Sequence, residues 1–264
     1  MKFGKLGALM FALVALAVAA HAADKQKLII ATEGAYPPYN LVAADGTLQG
    51  FDVDFAKAVC EKINADCEIV KQDWDGIIPA LLAKKFDVII ASMAIRAERK
   101  EKVDFTIPYY MAPTALIAMK SAGIKVGADG FVDPASVAGK KIGVARATGF
   151  ERYAKENWPK ADIVIYDNSP NADLDLISGR LDARFDDYIL LSQSVMKSDI
   201  AADLEQIGKI YPETAMGSEG EGIAVRKGET ALRESINKAI LDMRADGTYK
   251  KINDKYFSFD IYGQ

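Results

Sequence analysis

The chain has 264 residues, of which 50% are hydrophobic and 27% are charged, with a formal net charge of -4 at pH 7. This length suits one large domain or two modest ones. The acidic balance, with no basic clusters and no aromatic residues interleaved with basic ones, argues against nucleic-acid binding.

The first 22 residues have the pattern of a secretory signal peptide. Lys2 and Lys5 precede an apolar run over residues 6–20 and a small-residue triplet that ends at Ala22. The run is shorter than the roughly 18 to 20 residues that span a bilayer, and no cysteine follows for lipidation. We therefore expect cleavage after Ala22 and export to the periplasm; an uncleaved membrane anchor is the alternative.

Cleavage would remove two lysines, which changes the formal charge from -4 to -6, and also His21, the only histidine. Without histidine, Ser-His and Cys-His nucleophile pairs, histidine general bases and histidine metal sites are excluded. Cys60 and Cys67 are the only cysteines. In an exported protein this even number at short spacing predicts one disulfide, between a helix end and the next strand, rather than two free thiols or a metal site.

Apolar runs alternate with segments of helical period from end to end, which predicts an α/β fold with largely parallel sheets. In the first predicted helix, Phe51, Phe55, Val59 and Ile63 recur every fourth residue and would form one buried stripe. The first set of elements consists of strand 27–31, helix 51–63, strand 67–70, helix 75–84 and strand 86–90.

The pattern then starts again, which suggests a second lobe. Its elements are strand 114–119, strand 141–145, helix 150–157, strand 162–166, helix 172–178 and strand 181–185. A last unit follows the glycine-rich segment 217–222, with strand 223–226 and a helix that ends at Gly247.

Several segments could contact a ligand, although each has an ordinary structural interpretation. Neither of the glycine-rich phosphate-binding motifs, G-x-G-x-x-G and G-x-x-x-x-G-K-[ST], occurs in the sequence. The strand-loop-helix at 144–150 would direct backbone N–H groups and the Thr148 hydroxyl at an anion, but most such helix starts bind only water. Segment 33–39 follows the first strand, where open α/β sheets place ligand loops, and presents Tyr36. Its tyrosines could equally cover the core, and Trp74 could be packing.

Charged residues are similarly ambiguous. Arg99 belongs to the charge run 96–102, which is typical of a solvated helix face. Asp186 and Asp187 follow a predicted strand and could be a general acid/base pair or a polar strand end.

Together these residues resemble the family of periplasmic binding proteins for lysine, arginine, ornithine and histidine. The resemblance covers the whole chain after the signal peptide. It is carried by Cys60 and Cys67, GFDVD (50–54), DGIIPAL (75–81), DFT (104–106) with Tyr109 and Tyr110, GRLDA (179–183), DGTY (246–249), Tyr256, Phe257 and IYG (261–263).

The resemblance implies the two-lobed periplasmic binding protein fold of type II, whose lobes hinge shut around the ligand. The two crossover strands should lie near 110–113 and 211–220. Lobe 1 would then comprise residues 23–112 and 218–264, and lobe 2 residues 113–217.

The resemblance also assigns roles at both ends of the ligand. Arg99, helped by Ser92 and Thr148, matches the clamp on the α-carboxylate, and Asp187 matches the acceptor of the α-ammonium group. Tyr36 and Trp74 match aromatic walls around the ligand side chain, and Glu33 matches an acid that binds its cation. The predicted ligand-binding residues are Glu33, Tyr36, Trp74, Ala91, Ser92, Met93, Ala94, Arg99, Thr148, Gly149 and Asp187.

Three of these positions depart from the family pattern. Related proteins commonly have a serine where this chain has Ala94, a neighbouring position is Ala91, and Gly149 replaces a hydroxyl residue. The extra room near the α-carboxylate suggests a bulkier α-end, as in family members that bind opines such as nopaline or octopine. Arg96 and Arg146 could then meet a second carboxylate, although each could equally be an exposed charge.

The resulting expectation is a monomeric receptor for arginine, lysine or ornithine that delivers its ligand to an inner-membrane ABC permease with a cytoplasmic ATPase. No cofactor, metal or catalytic residue is expected. Receptors for guanidino opines, a periplasmic enzyme on the same scaffold, such as a dehydratase, and a sensory module that docks a soluble partner are the alternatives.

Overall fold

Two five-stranded sheets organise the computed structural model, which describes residues 25–263. The first sheet contains β1 (Gln26–Thr32), β5 (Ala65–Lys71), β6 (Val88–Ala94), β7 (Val103–Tyr110) and β13 (Glu221–Arg226), in the order β5-β1-β6-β13-β7. The second contains β8 (Thr114–Met119), β9 (Lys141–Ala145), β10 (Asp162–Tyr166), β11 (Ala183–Asp187) and β12 (Leu204–Gln206), in the order β10-β9-β11-β8-β12. A small antiparallel sheet joins β2 (Ala35–Tyr36), β3 (Asn40–Val42) and β4 (Leu48–Gln49). The predicted signal peptide lies outside the described residues.

Helices cover both faces of the first sheet. Ile30 of β1 belongs to the core cluster beneath the first helix, whereas its neighbour Ala31 belongs to a separate cluster with Ile77 and Leu81. This alternation follows from the two-residue period of a strand, and it explains why the strands are apolar on both faces.

The helices are α1 (Phe51–Lys62), α2 (Ile77–Leu82), α3 (Ala97–Lys100), α4 (Gly149–Asn157), α5 (Ser169–Ile177), α6 (Tyr188–Gln193), α7 (Thr230–Asp246) and α8 (Thr248–Tyr256). None of the helices within residues 25–263 is long and apolar enough to cross a membrane.

Both large sheets are mixed, so the prediction of largely parallel sheets was wrong. β1 is parallel to β5 and β6, but β13 is antiparallel to both β6 and β7. In the second sheet β9 is parallel to β10 and β11, while β8 is antiparallel to β11 and β12. The antiparallel pairs arise from the path of the chain. β8 and β13 each follow a crossing between the sheets, and each enters the new sheet antiparallel to both of its neighbours.

The chain crosses between the sheets twice. It leaves the first sheet at Tyr110, the end of β7, and starts β8 at Thr114. It returns between a short 3-10 helix, Glu213–Met216, and the start of β13 at Glu221. The residue limits of the two lobes stay a prediction, but the crossings explain why the last segment of the chain packs beside the first.

The predicted disulfide is present: Cys60 in α1 is bonded to Cys67 in β5, with Cα atoms 6.2 Å apart. It links the helix end to the neighbouring strand across a separation of seven residues.

Replacing both cysteines by alanine should lower the free energy of unfolding by about 2.5 kcal/mol. The effect is modest because a disulfide that closes so short a loop removes little conformational entropy from the unfolded chain. Urea unfolding of the Cys60→Ala/Cys67→Ala variant against the oxidised protein measures this. Adding a reductant should destabilise the wild-type chain and leave the variant unchanged; equal stability of variant and oxidised wild type would contradict the prediction.

Candidate functional site

A cavity lies between the two sheets and contains about 630 Å³ free of protein atoms, part of it open to solvent. Both crossings border it, through Ala112 and Thr114 at the first and Met216 and Ser218 at the second. Nine of the predicted ligand-binding residues line it: Glu33, Tyr36, Trp74, Ala91, Ser92, Ala94, Arg99, Thr148 and Gly149.

The cavity wall includes a carboxyl group and two aromatic side chains. Glu33 follows β1 directly and is only 8% exposed. Tyr36 stacks on Tyr39 at 5.6 Å between centroids, and its hydroxyl donates to Asp186 in the second sheet at 2.9 Å. Trp74 begins the short 3-10 helix after β5. These residues can therefore contact an apolar chain that carries a cation.

The Glu33 carboxyl group is held in an environment that disfavours its charge. Burial, and next the Asp186 carboxylate, raise the pKa of Glu33 to about 7. Lys71 opposes this increase. A ligand cation placed beside the carboxyl group would favour its ionised form. The ligand-free site is therefore suited to bind a positively charged group.

Arg99 also lines the cavity, and it spans the cleft. Its guanidinium group donates to the carbonyl oxygen of Ala94 at 2.9 Å and to that of Ala147, across the cleft, at 3.0 Å. It also lies 5.0 Å from the centroid of a Trp74 ring, within cation-π range. Burial, and then the neighbouring Arg96, lower the pKa of Arg99, but a guanidinium group remains charged at neutral pH.

The hydroxyl groups predicted to help Arg99 are engaged within the protein. Ser92 Oγ donates to Asp52 at 2.9 Å, and Thr148 Oγ1 donates to the carbonyl oxygen of Ala145 at 2.6 Å. Thr148 also caps α4 by accepting from the backbone of Glu151. Both residues line the cavity, but each hydroxyl proton already has an acceptor.

The extra room that the sequence predicts at Gly149 is absent, because the neighbouring backbone fills the space that a side chain would need. A Cβ atom at this position would lie 2.9 Å from the carbonyl oxygen of Met216 and 3.0 Å from its Cβ. Arg96 lies just beyond, with its Cζ 3.6 Å from the same point.

Asp187 and Met93 are not among the lining residues, contrary to the sequence expectation. Asp187 is fully buried: one carboxylate oxygen accepts from Leu190 N at 2.7 Å, as a cap of α6, and the other from the Tyr39 hydroxyl at 3.2 Å. Burial is the main reason that the pKa of Asp187 is raised to about 8. Met93 has no exposed surface and packs in the core with Ile77.

The sequence model of one protein family, the bacterial extracellular solute-binding proteins, family 3, matches residues 28–259. The chain belongs to this family. An L-arginine-binding protein of Pseudomonas aeruginosa is 42% identical over 99% of this chain and 98% of its own length.

Solved structures agree with the two-lobed fold of this solute-binding protein. A Salmonella typhimurium periplasmic binding protein described as highly specific for arginine has a TM-score of 0.78 at 32% identity, covering 88% of this chain and all of that one. An ancestral amino acid-binding protein, a precursor of cyclohexadienyl dehydratase, has a TM-score of 0.73 at 32% identity, covering 88% and 95% of the two chains.

Four charged residues of the cavity wall were not among the predicted ligand-binding residues: Arg96, Asp167, Glu213 and Glu221. The sequence offers Arg96 as a contact for a second carboxylate and assigns no ligand role to the three acids. The sequence signal for Glu221 is its place between two glycines, directly after the predicted second crossing. Arg146 does not line the cavity; it is exposed and pairs with Asp167 at 2.7 Å.

The wall of the cavity carries more acidic than basic groups. Its carboxyl groups belong to Glu33, Asp167, Glu213 and Glu221, and its guanidinium groups to Arg96 and Arg99.

Glu33→Gln should stabilise the ligand-free protein by about 3 kcal/mol above pH 7, and by little below pH 4.5. Because the carboxyl group titrates near pH 4.5 in the unfolded chain and near pH 7 in the folded one, the wild-type protein loses stability as the pH rises through that window. Urea unfolding at pH 4.5 and pH 8 tests this, with Glu61→Gln on the exposed side of α1 as the control. The same difference at both pH values would contradict it.

Proposed function

We propose that this solute-binding protein captures a basic amino acid, arginine, lysine or ornithine, in the periplasm. The observation that carries the proposal is that the cavity wall carries charged groups of both signs beside aromatic rings. A buried carboxyl group, Glu33, and a buried guanidinium group, Arg99, line the cavity together with Tyr36 and Trp74. An amino acid with a cationic side chain offers an opposite charge to each of these two groups.

In the proposed complex, Tyr36 and Trp74 pack against the aliphatic part of the ligand side chain, and Glu33 binds its cation. Cation-π attraction at such a wall is worth about 0.5 to 2 kcal/mol. Arg99 has five N–H groups and uses two for the protein carbonyls, so it retains donors for the α-carboxylate.

The relatives support a transport receptor. They are binding proteins, and those described above are named for arginine or amino acids, which favours a basic amino acid over an opine. The receptor would be exported with cleavage after Ala22, act as a monomer and deliver its ligand to an ABC permease with a cytoplasmic ATPase. We propose that it performs no chemistry.

An enzymatic role has one specific observation in its favour, namely the likeness to the ancestral precursor of a dehydratase. Mass spectrometry of the small molecule that co-purifies with the native protein, before and after prolonged incubation, separates the two roles. An unchanged basic amino acid supports the receptor; conversion to a product would establish an enzyme.

Glu33→Gln should weaken binding of arginine, lysine and ornithine by roughly 2 to 5 kcal/mol, because the ligand cation loses its buried partner. Glutamine, which has no side-chain cation, should lose much less. Arg99→Ala should weaken all of these ligands, since it removes the carboxylate contact that they share.

Calorimetry on refolded, ligand-stripped protein against arginine, lysine, ornithine, histidine, glutamine and nopaline measures both effects. If the wild-type protein bound no basic or guanidino compound, the proposed function would be refuted. Equal losses for neutral and basic ligands in Glu33→Gln would refute only the role of Glu33.

A further inference from the structure

Two buried carboxyl groups lie in contact where the chain crosses between the sheets for the second time. Glu213 begins the short 3-10 helix before this crossing, and Glu221 begins β13 after it. Each residue is 6% exposed, and a hydrogen bond joins the two side chains. Two ionised carboxylates cannot form such a bond, because neither has a hydrogen atom to donate. One of the two groups therefore carries a proton.

The other hydrogen bonds of the pair indicate which group carries it. Glu213 Oε2 accepts from the backbone N–H of Ala112 at 3.0 Å, and its Oε1 accepts from the Ser218 hydroxyl at 2.8 Å. Glu221 Oε2, in contrast, has no partner among the described residues. A buried carboxylate is costly without donors, whereas a neutral acid needs fewer of them. Glu221 is therefore the protonated acid, and it donates to the Glu213 carboxylate.

The electrostatic surroundings agree with this assignment. Burial, and then Glu213, raise the pKa of Glu221 well above its usual value. Burial also raises the pKa of Glu213, but the hydrogen bonds from Ser218 and Ala112 oppose that increase. The proton is thus held more tightly by Glu221 than by Glu213.

Neighbouring cations do not replace the proton as the link between the two groups. Arg96 pairs with Glu98 at 3.4 Å, and Arg99 donates to the carbonyl oxygens of Ala94 and Ala147. The ionisable groups that face the pair are the guanidinium groups of Arg96 and Arg99, the carboxyl group of Asp187, and the hydroxyl groups of Tyr36, Tyr39, Tyr109 and Tyr110. Burial raises the pKa of all four tyrosines, so these stay neutral at pH 8.

The pair is placed where it restrains both crossings. Its hydrogen bond bridges the two ends of the second crossing, which contains two glycines with positive φ, Gly217 at 66° and Gly220 at 113°. Glu213 also holds Ala112 of the first crossing through the backbone N–H. One proton therefore completes a set of hydrogen bonds that fixes the backbone of both segments through which the chain passes between the sheets.

We propose that Glu213 and Glu221 share one proton and form a proton-dependent restraint on the two crossings. Loss of the proton would leave two carboxylates in contact in a buried site, and their repulsion would loosen the segments about which the lobes move. This inference goes beyond the proposed function, and it is independent of which amino acid binds.

Glu221→Gln tests the shared proton, because an amide N–H can replace the O–H donor but cannot titrate. Carboxyl groups of the unfolded chain titrate near pH 4.5, so unfolding of the wild-type protein releases the shared proton at neutral pH. The unfolding constant of the wild-type protein, relative to that of Glu221→Gln, should rise about tenfold per pH unit, or about a hundredfold from pH 5.5 to pH 7.5.

Urea unfolding of the ligand-free proteins measures this ratio. Glu219→Gln is the matched control, since Glu219 lies on the same crossing with a side chain that is 66% exposed. The ratio of the wild-type protein to this control should not change with pH. Equal pH dependence of the wild-type protein and Glu221→Gln would overturn the proposal.

The reciprocal variant, Glu213→Gln, distinguishes a shared proton from two separate ones. It should remove the same pH dependence, and the double variant should remove no more than either single variant, because only one proton is involved. Additive effects of the two substitutions would show that each group titrates independently, and the shared proton would be refuted.

Amide hydrogen exchange at Ala112 tests the effect on the crossings, since this N–H donates to Glu213. After correction for the intrinsic exchange rate, protection of this amide should fall between pH 6 and pH 8 in the wild-type protein and stay constant in Glu221→Gln. Constant protection in the wild-type protein would refute the restraint, even if the pair titrates as expected.

Discussion

The central physical constraint is that the cavity between the sheets contains charged groups that the protein does not fully pair. A carboxyl group at Glu33 and guanidinium groups at Arg96 and Arg99 are removed from most of the water that would solvate them. Burying such groups is costly unless an opposite charge meets them. A ligand that carries both a cation and a carboxylate would supply that compensation.

Other buried charges in the same region are fully paired and act as scaffold. Arg184 has no exposed surface and donates to Asp173, Asp186 and the carbonyl oxygen of Gly143 at 2.7 to 2.8 Å. Asp186 in turn accepts from the Tyr36 hydroxyl across the cleft. Gly143 leaves space for this pairing, because a Cβ atom there would lie 3.2 Å from Arg184 Cδ. The paired cluster fixes one aromatic wall, and the unpaired charges remain for the ligand.

The sequence predicted what periodicity and turn chemistry determine. The bounds of β8, β9 and β10 agree to the residue, because each is a short apolar run between polar segments. It missed β7, an outer strand that contains Pro108, and it expected Asp187 to face the ligand. The orientation of the Asp187 carboxylate depends on Tyr39, which is distant in sequence and donates a hydrogen bond to it. Glu221 was missed for a related reason, since only the second crossing brings it to the cavity.

A crystal structure of the protein with L-arginine tests the central claim most directly. The account predicts the ligand guanidinium group within hydrogen-bond distance of the Glu33 carboxylate, its aliphatic chain between Tyr36 and Trp74, and its α-carboxylate on Arg99. A reversed ligand, with its guanidinium group beside Glu221 and its α-carboxylate near Glu33, would contradict it.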